Sequence, residues 1–103
     1  MKGVGNLQKM LKQAKEMQEK IQRETAEMRI EGSSGGGMVT VMLDGNKNLI
    51  SCTLDPEVVN KDDVEMLQDL IMAAFNDANT KVDEALSEKL GAMGAGLKIP
   101  GLF

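Results

Sequence analysis

The chain of 103 residues reads as an α+β fold: a long N-terminal helix, a three-stranded antiparallel meander and a long C-terminal helix. Three observations predict this. Apolar residues recur every three or four positions from Leu7, and again from Val64. They alternate at every second position only in the middle, between Met38 and Leu54. That middle is bracketed by Gly32-Ser33-Ser34-Gly35-Gly36-Gly37 and by Asp55-Pro56. A period near 3.6 marks a helix with one apolar face, and a period of two marks a half-buried strand.

Met1 to Asn6 is expected to fray, with Asn6 as a candidate N-cap. From Leu7 the apolar positions run Leu7, Met10, Leu11, Ala14, Met17, Ile21 and Met28, with Glu24 interrupting. This predicts an amphipathic helix of about 22 residues. Glu16 and Lys20, and Glu19 and Arg23, add favourable pairs four apart. With Ala14 and Glu24 in the seam, the stripe does not make a free-standing zipper, so the helix is expected to pack on the sheet or on the second helix. A short strand at about Ala26 to Gly32 leads into the Ser/Gly loop.

Met38 to Leu43 puts Val39, Val41 and Leu43 on one face and Met38, Thr40 and Met42 on the other. Leu49 to Leu54 sets Ile50, Cys52 and Leu54 opposite Leu49, Ser51 and Thr53. Asp44-Gly45-Asn46-Lys47 between them supplies the positive-φ positions of a tight reversal. Pro56 ends the hairpin and Asp55 caps the turn. The pattern Val64, Leu67, Leu70, Ile71, Ala74, Ala78, Val82, Ala85, Leu86 and Leu90 then predicts the second helix, with Asp62 as its cap and Gly91 as its stop. Residues 1–92 form a single α-β-β-β-α domain on this reading. Residues 93–103 form a flexible Gly-rich tail, whose Leu97, Ile99, Leu102 and Phe103 offer an apolar surface to a partner.

Composition narrows the function. There is no His, Trp or Tyr, and there are two Phe, nine Met and one Cys, so the core must be aliphatic and Met-filled. A single Cys allows no intrachain disulfide and fits a reducing compartment. No apolar run approaches the roughly 20 residues of a membrane span. The first residues lack the apolar run of a secretory signal, so a cytoplasmic protein is expected.

An enzyme is not expected, because general acid–base chemistry and metal binding both lack their commonest residue, His. Asp62, Asp63 and Glu65 cluster at a helix start, where capping and the helix dipole account for them without a metal. Cys52 reads as a small buried hydrophobe in mid-strand. The Ser/Gly loop runs into a strand, whereas a phosphate-binding loop needs Gly-Lys-Ser/Thr at a helix start. No cofactor or small-molecule substrate is implied.

Charge is unevenly spread. Residues 1–30 carry seven Lys or Arg against four Glu, net +3, and residues 31–103 carry five against twelve, net −7. Lys2, Lys9, Lys12 and Lys15 precede the first acid. A basic end on an acidic body can touch a polyanion locally. The helices also predict an oligomer. At 1.5 Å per residue they span about 33–43 Å. A three-stranded sheet is only about 15 Å by 20 Å. Either the helix ends project or a second subunit covers them, which a homodimer does most simply.

Four stretches carry a family resemblance: Gly5-Asn6-Leu7-Gln8-Lys9-Met10-Leu11-Lys12-Gln13-Ala14-Lys15-Glu16-Met17-Gln18, Glu31 to Gly37, Asp55-Pro56-Glu57, and Gly96-Leu97-Lys98-Ile99-Pro100-Gly101-Leu102-Phe103. In this order and spacing the chain resembles the YbaB/EbfC family of bacterial nucleoid-associated proteins. The resemblance implies an intertwined, tweezer-like homodimer, located in the cytoplasm at the nucleoid. Its projecting helices would bind double-stranded DNA and so affect nucleoid organisation and gene expression. Carried onto this chain, Lys2, Lys9, Lys12 and Lys15 would contact phosphates, with Gln8 and Gln13 as uncharged donors. No Arg lies in residues 1–22 to fork onto guanine, and no aromatic residue there could stack on bases, so binding should be backbone-directed and weakly sequence-specific. The alternative is a dimeric protein-interaction module that uses Met-rich surfaces and the apolar tail, the lysines being only a solvated face.

Overall fold

The computed structural model describes residues 2–94, with side chains described for residues 5–92. The order is α1 (Lys2–Glu27), β1 (Ile30–Ser34), β2 (Val39–Leu43), β3 (Leu49–Leu54) and α2 (Val64–Gly94), with single 3-10 turns at Gly35–Gly37 and Pro56–Val58. The strands form one antiparallel sheet in the order β1-β2-β3. The α+β fold expected from the sequence is the fold observed.

The core is small and lies between the sheet and α2. Val39, Val41 and Leu43 alternate inward along β2 and are fully buried, against Ala74, Ala78 and Val82 of α2, with Val58 closing one end. These α2 residues are four apart and so stack on one helix face. Small side chains there let helix and sheet come close, and Gly32 completes the fit. A Cβ at Gly32 would fall on the Ala78 amide and within 2.5 Å of the Ala74 carbonyl oxygen.

Polar contacts fix α2 across β1. The Ser33 amide donates to the Asp77 carboxylate at 3.0 Å, and the Ser34 hydroxyl donates to the Leu70 carbonyl. The Ser33 amide, followed by Lys81, holds the Asp77 carboxyl below its usual value.

Several boundaries differ from the sequence reading. α1 begins at Lys2 rather than after Asn6, so Asn6 is inside the helix. No proline breaks that first turn, and Gly3 and Gly5 each cost only about 1 kcal/mol. β1 runs from Ile30 to Ser34, later than Ala26–Gly32, because α1 continues to Glu27. Half of the supposed Ser/Gly loop is therefore strand. The cap of α2 is Asp63, whose carboxylate accepts the Met66 amide at 3.2 Å. Asp62 instead donates its amide to the Asn60 side chain. Gly91 does not stop α2, which runs to Gly94. The tail expected at 93–103 thus starts inside the helix, and residues 95–103 lie outside the described residues.

The β2–β3 turn also works differently. Its positive φ belongs to Lys47, at 65°, and not to Gly45. Gly45 is required by proximity, since a Cβ there would meet the Thr25 carbonyl oxygen at 2.5 Å. Asp44, almost fully buried, organises the turn by accepting from the Asn46 and Asn48 amides at 2.8 and 2.9 Å. Those bonds, the Asn48 amide foremost, hold its carboxyl below the usual range.

β3 is the largest departure. A β-bulge opposite Met42 and Leu43 interrupts its register, pairing Leu43 with Leu49 and Met42 with Ser51. Every residue of β3 except Leu54 is exposed, Leu49 at 55% and Ile50 at 46%. Cys52, expected to be buried, is exposed as well. It pairs with Val41 and so lies on the α2 side of the sheet. It is open because α2 covers β1 and β2 and does not reach β3.

Gly32→Ala should destabilise the protein by about 3 kcal/mol or more, because the clash is with helix backbone that no rotamer change relieves. Thermal unfolding would fall by about 12 °C or more. Melting within a few degrees of the parent would refute this packing.

Candidate nucleic-acid interface

α1 stands off the body as an arm. Its grip begins at the half-buried Ile21 and ends at the half-buried Met28, just past its last turn. Between them Lys89 of α2 pairs with Glu24 at 2.8 Å. The Gly45 amide donates to the Thr25 carbonyl at 2.9 Å. Hydrogen bonding from Lys89, with its charge and those of Lys20 and Arg23, holds the Glu24 carboxyl below the usual range. The Lys89–Glu24 pair is therefore intact at neutral pH and is lost as pH falls through that lowered value.

Residues 5–20 are exposed throughout. The molecule extends 75 Å along its long axis with a radius of gyration of 20.1 Å, against about 13 Å for a compact chain of this length. The helix ends project, as helix length against sheet width predicts.

The arm has two faces. At about 100° per residue, Leu7, Met10, Leu11, Ala14, Met17 and Ile21 fall within an arc of about 120°. Gln8, Lys9 and Lys12 fall on the other side, with Lys15 and Gln13 flanking. All five of these polar residues are exposed. Lys2 lies in the first turn of α1, and its side chain lies outside the described residues. Lys2 to Lys15 rise about 20 Å along the axis. One DNA strand presents a phosphate about every 3.4 Å over that distance. Among the described residues the ion pairs are Lys47–Asp83, Lys81–Asp77 and Lys89–Glu24, and Lys9, Lys12 and Lys15 are in none of them.

The sequence reading missed how this charge sits on the helix. A helix N-terminus carries partial positive charge and is stabilised by acids, and its C-terminus by bases. α1 has no acid in its first turn and no base in its last. Lys2, Lys9, Lys12 and Lys15 occupy its first half, and Glu16, Glu19, Glu24 and Glu27 its second. Only Lys2 in the first turn and Glu24 and Glu27 in the last stand against the dipole, which acts over about one turn at each end; Lys9, Lys12 and Lys15, two or more turns in, act by their own charge. Reading each charge by its place along the predicted helix would have found it. Lys20, about three turns after Lys9 and so on the same face, was also overlooked.

Residues 1–97 match the model of the YbaB/EbfC DNA-binding family. The chain belongs to that family. It is 54% identical over 104 residues to a nucleoid-associated protein of Geobacillus kaustophilus, covering 98% of this chain and 96% of the relative. A nucleoid-associated protein of Bacillus licheniformis is 52% identical over 104 residues, covering 98% and 97%. A crystal structure of an uncharacterised protein from Helicobacter pylori matches with a TM-score of 0.71 at 26% identity, over 84% of this chain and 91% of that one.

The described residues contain no group of three or more potential metal ligands, and no helix among them is long and apolar enough to cross a membrane. The arm thus combines length, exposure and lysines that lie outside every ion pair among the described residues.

Proposed function

We propose that the chain acts as a nucleoid-associated protein, in the cytoplasm at the nucleoid, by gripping double-stranded DNA between the α1 arms of a homodimer. The observation that carries this reading is the exposed, projecting first half of α1, whose residues 1–15 hold four lysines and no acid, a distribution that suits a polyanion. Lys2, Lys9, Lys12 and Lys15 take phosphates, and Gln8 and Gln13 donate uncharged hydrogen bonds beside them. Residues 1–22 contain no Arg to fork onto guanine and no aromatic residue to stack on bases, so on this reading the contact is to the backbone and depends weakly on sequence. The body, net −7 beyond residue 30, repels DNA and leaves only the arms to approach it. Effects on nucleoid organisation and gene expression would follow from occupancy along the chromosome.

β3 supports the dimer. Its outer edge has no partner among the described residues, and an open, apolar edge strand is a surface for association. Ser33 and Ser34 bond to the Asp77 and Leu70 flank of α2, while Lys47, in the turn leading to β3, pairs with Asp83 on the other flank at 2.8 Å. Helical spacing puts Met72 and Phe75, both exposed, on that second flank. Leu49, Ile50, Met72 and Phe75 are therefore set on the same side of the molecule for a second copy. The same residues favour a protein-interaction module, and a homodimer uses them without a further partner.

Fluorescence anisotropy of a labelled random-sequence duplex should give saturable binding. Two copies bring about eight lysines, so pairing a third to all of them gives a log–log salt slope of roughly −2 to −7. Lys9→Glu/Lys12→Glu/Lys15→Glu should abolish binding. Binding that survives the triple change would discard these residues as the site.

Sedimentation should give a dimer, with Cys52 slow to react with a maleimide. Ile50→Asp should yield a monomer with fast labelling. A parent protein that sediments as a monomer with reactive Cys52 would contradict the dimer.

A further inference from the structure

The apolar face of the arm has no cover among the described residues. Leu7, Met10 and Leu11 are 56%, 64% and 61% exposed, and Met17 is 48% exposed. An apolar strip of this length, opposite the lysines, is not needed to hold phosphates. It continues into a groove between α1 and the end of α2, lined by Met17, Lys20, Ile21, Glu24, Lys89 and Ala92.

The geometry points to one occupant. We propose that residues 95–103 of the same chain lie along this strip and brace the arm. α2 runs antiparallel to α1 at the groove: Lys89 meets Glu24, and Ala92, further along α2, lines the groove with Met17, seven positions earlier in α1. The chain therefore leaves α2 at Gly94 heading towards Leu7. From Met17 to Leu7 the helix rises about 15 Å. The nine residues after Gly94 can span about 30 Å when extended.

The composition of that segment suits the strip. Leu97, Ile99, Leu102 and Phe103 give it four large apolar side chains, against one charge, Lys98. Pro100 and Gly101 disfavour a continued helix and suit an extended segment laid in a helix-lined groove. The lysines face the other way, so the brace leaves them free. Docking would offset the two handicaps of α1, its thin attachment and its reversed charge order, and does not depend on the DNA reading.

The test is hydrogen exchange of the full chain without DNA, compared with Leu97→Asp/Ile99→Asp. Full burial of a single Leu or Ile shifts an equilibrium by more than about tenfold. Amides of residues 5–20 should exchange at least about tenfold faster in the variant, with the sheet and the middle of α2 unchanged. Equal exchange of residues 5–20 in both proteins would overturn the proposal.

A second variant distinguishes the source of the segment. Met10→Cys/Ile99→Cys in a Cys52→Ser background should oxidise to a species that runs as a single chain on a non-reducing gel. A linked pair of chains, or no link, would overturn docking within one chain.

Discussion

The backbone of β1 at Gly32 lies against α2 between Ala74 and Ala78, and that close approach determines where the other elements stand. It centres a helix of 31 residues over the β1–β2 half of a sheet whose strands have five or six. The core is then confined to Val39, Val41 and Leu43 under Ala74, Ala78 and Val82. Two consequences follow without further assumption. β3 stays bare, and α2 overruns the sheet far enough for Lys89 to catch Glu24 and hold the base of α1. A wider sheet, or a side chain at Gly32, would move α2 and remove both.

α1 departs from what stability alone would select. A helix optimised for its own sake would start with acids, end with bases and bury its apolar stripe. This one starts with lysines, ends with glutamates and exposes the stripe over residues 5–20. Departures of this kind mark functional positions, where local rules are broken for a use the isolated fold does not reveal. On the proposed reading that use is contact with a polyanion at a distance from an acidic body. Anchoring only the last two turns keeps that contact away from the repelling surface.

Much of the fold was legible in the sequence. Periodicity identified both helices and the β2–β3 hairpin, and the inward face of β2 was read correctly residue by residue. The mismatch between helix length and sheet width predicted projecting ends. The errors have physical causes. Gly91 read as a helix stop, but a penalty of about 1 kcal/mol for a glycine is easily overridden by context. Asp44 to Lys47 read as the source of positive φ, which Lys47 supplies, whereas the role of Gly45 is to let the turn touch Thr25, which no local pattern encodes. Cys52 read as buried because alternation tells which face a residue is on, and only tertiary structure tells whether α2 reaches that face. Of the candidate site, the lysines were legible as a charge cluster. That the apolar strip behind them stays uncovered required the tertiary structure.

The central claim is that α1, and no other part of the chain, holds DNA. Hydrogen exchange of the intact protein with and without saturating duplex DNA tests it most directly. The account predicts slower exchange across residues 5–20 on binding, with β1, β2 and the buried half of α2 unchanged. Protection confined to α2 or the sheet, with α1 exchanging at its free rate, would contradict it.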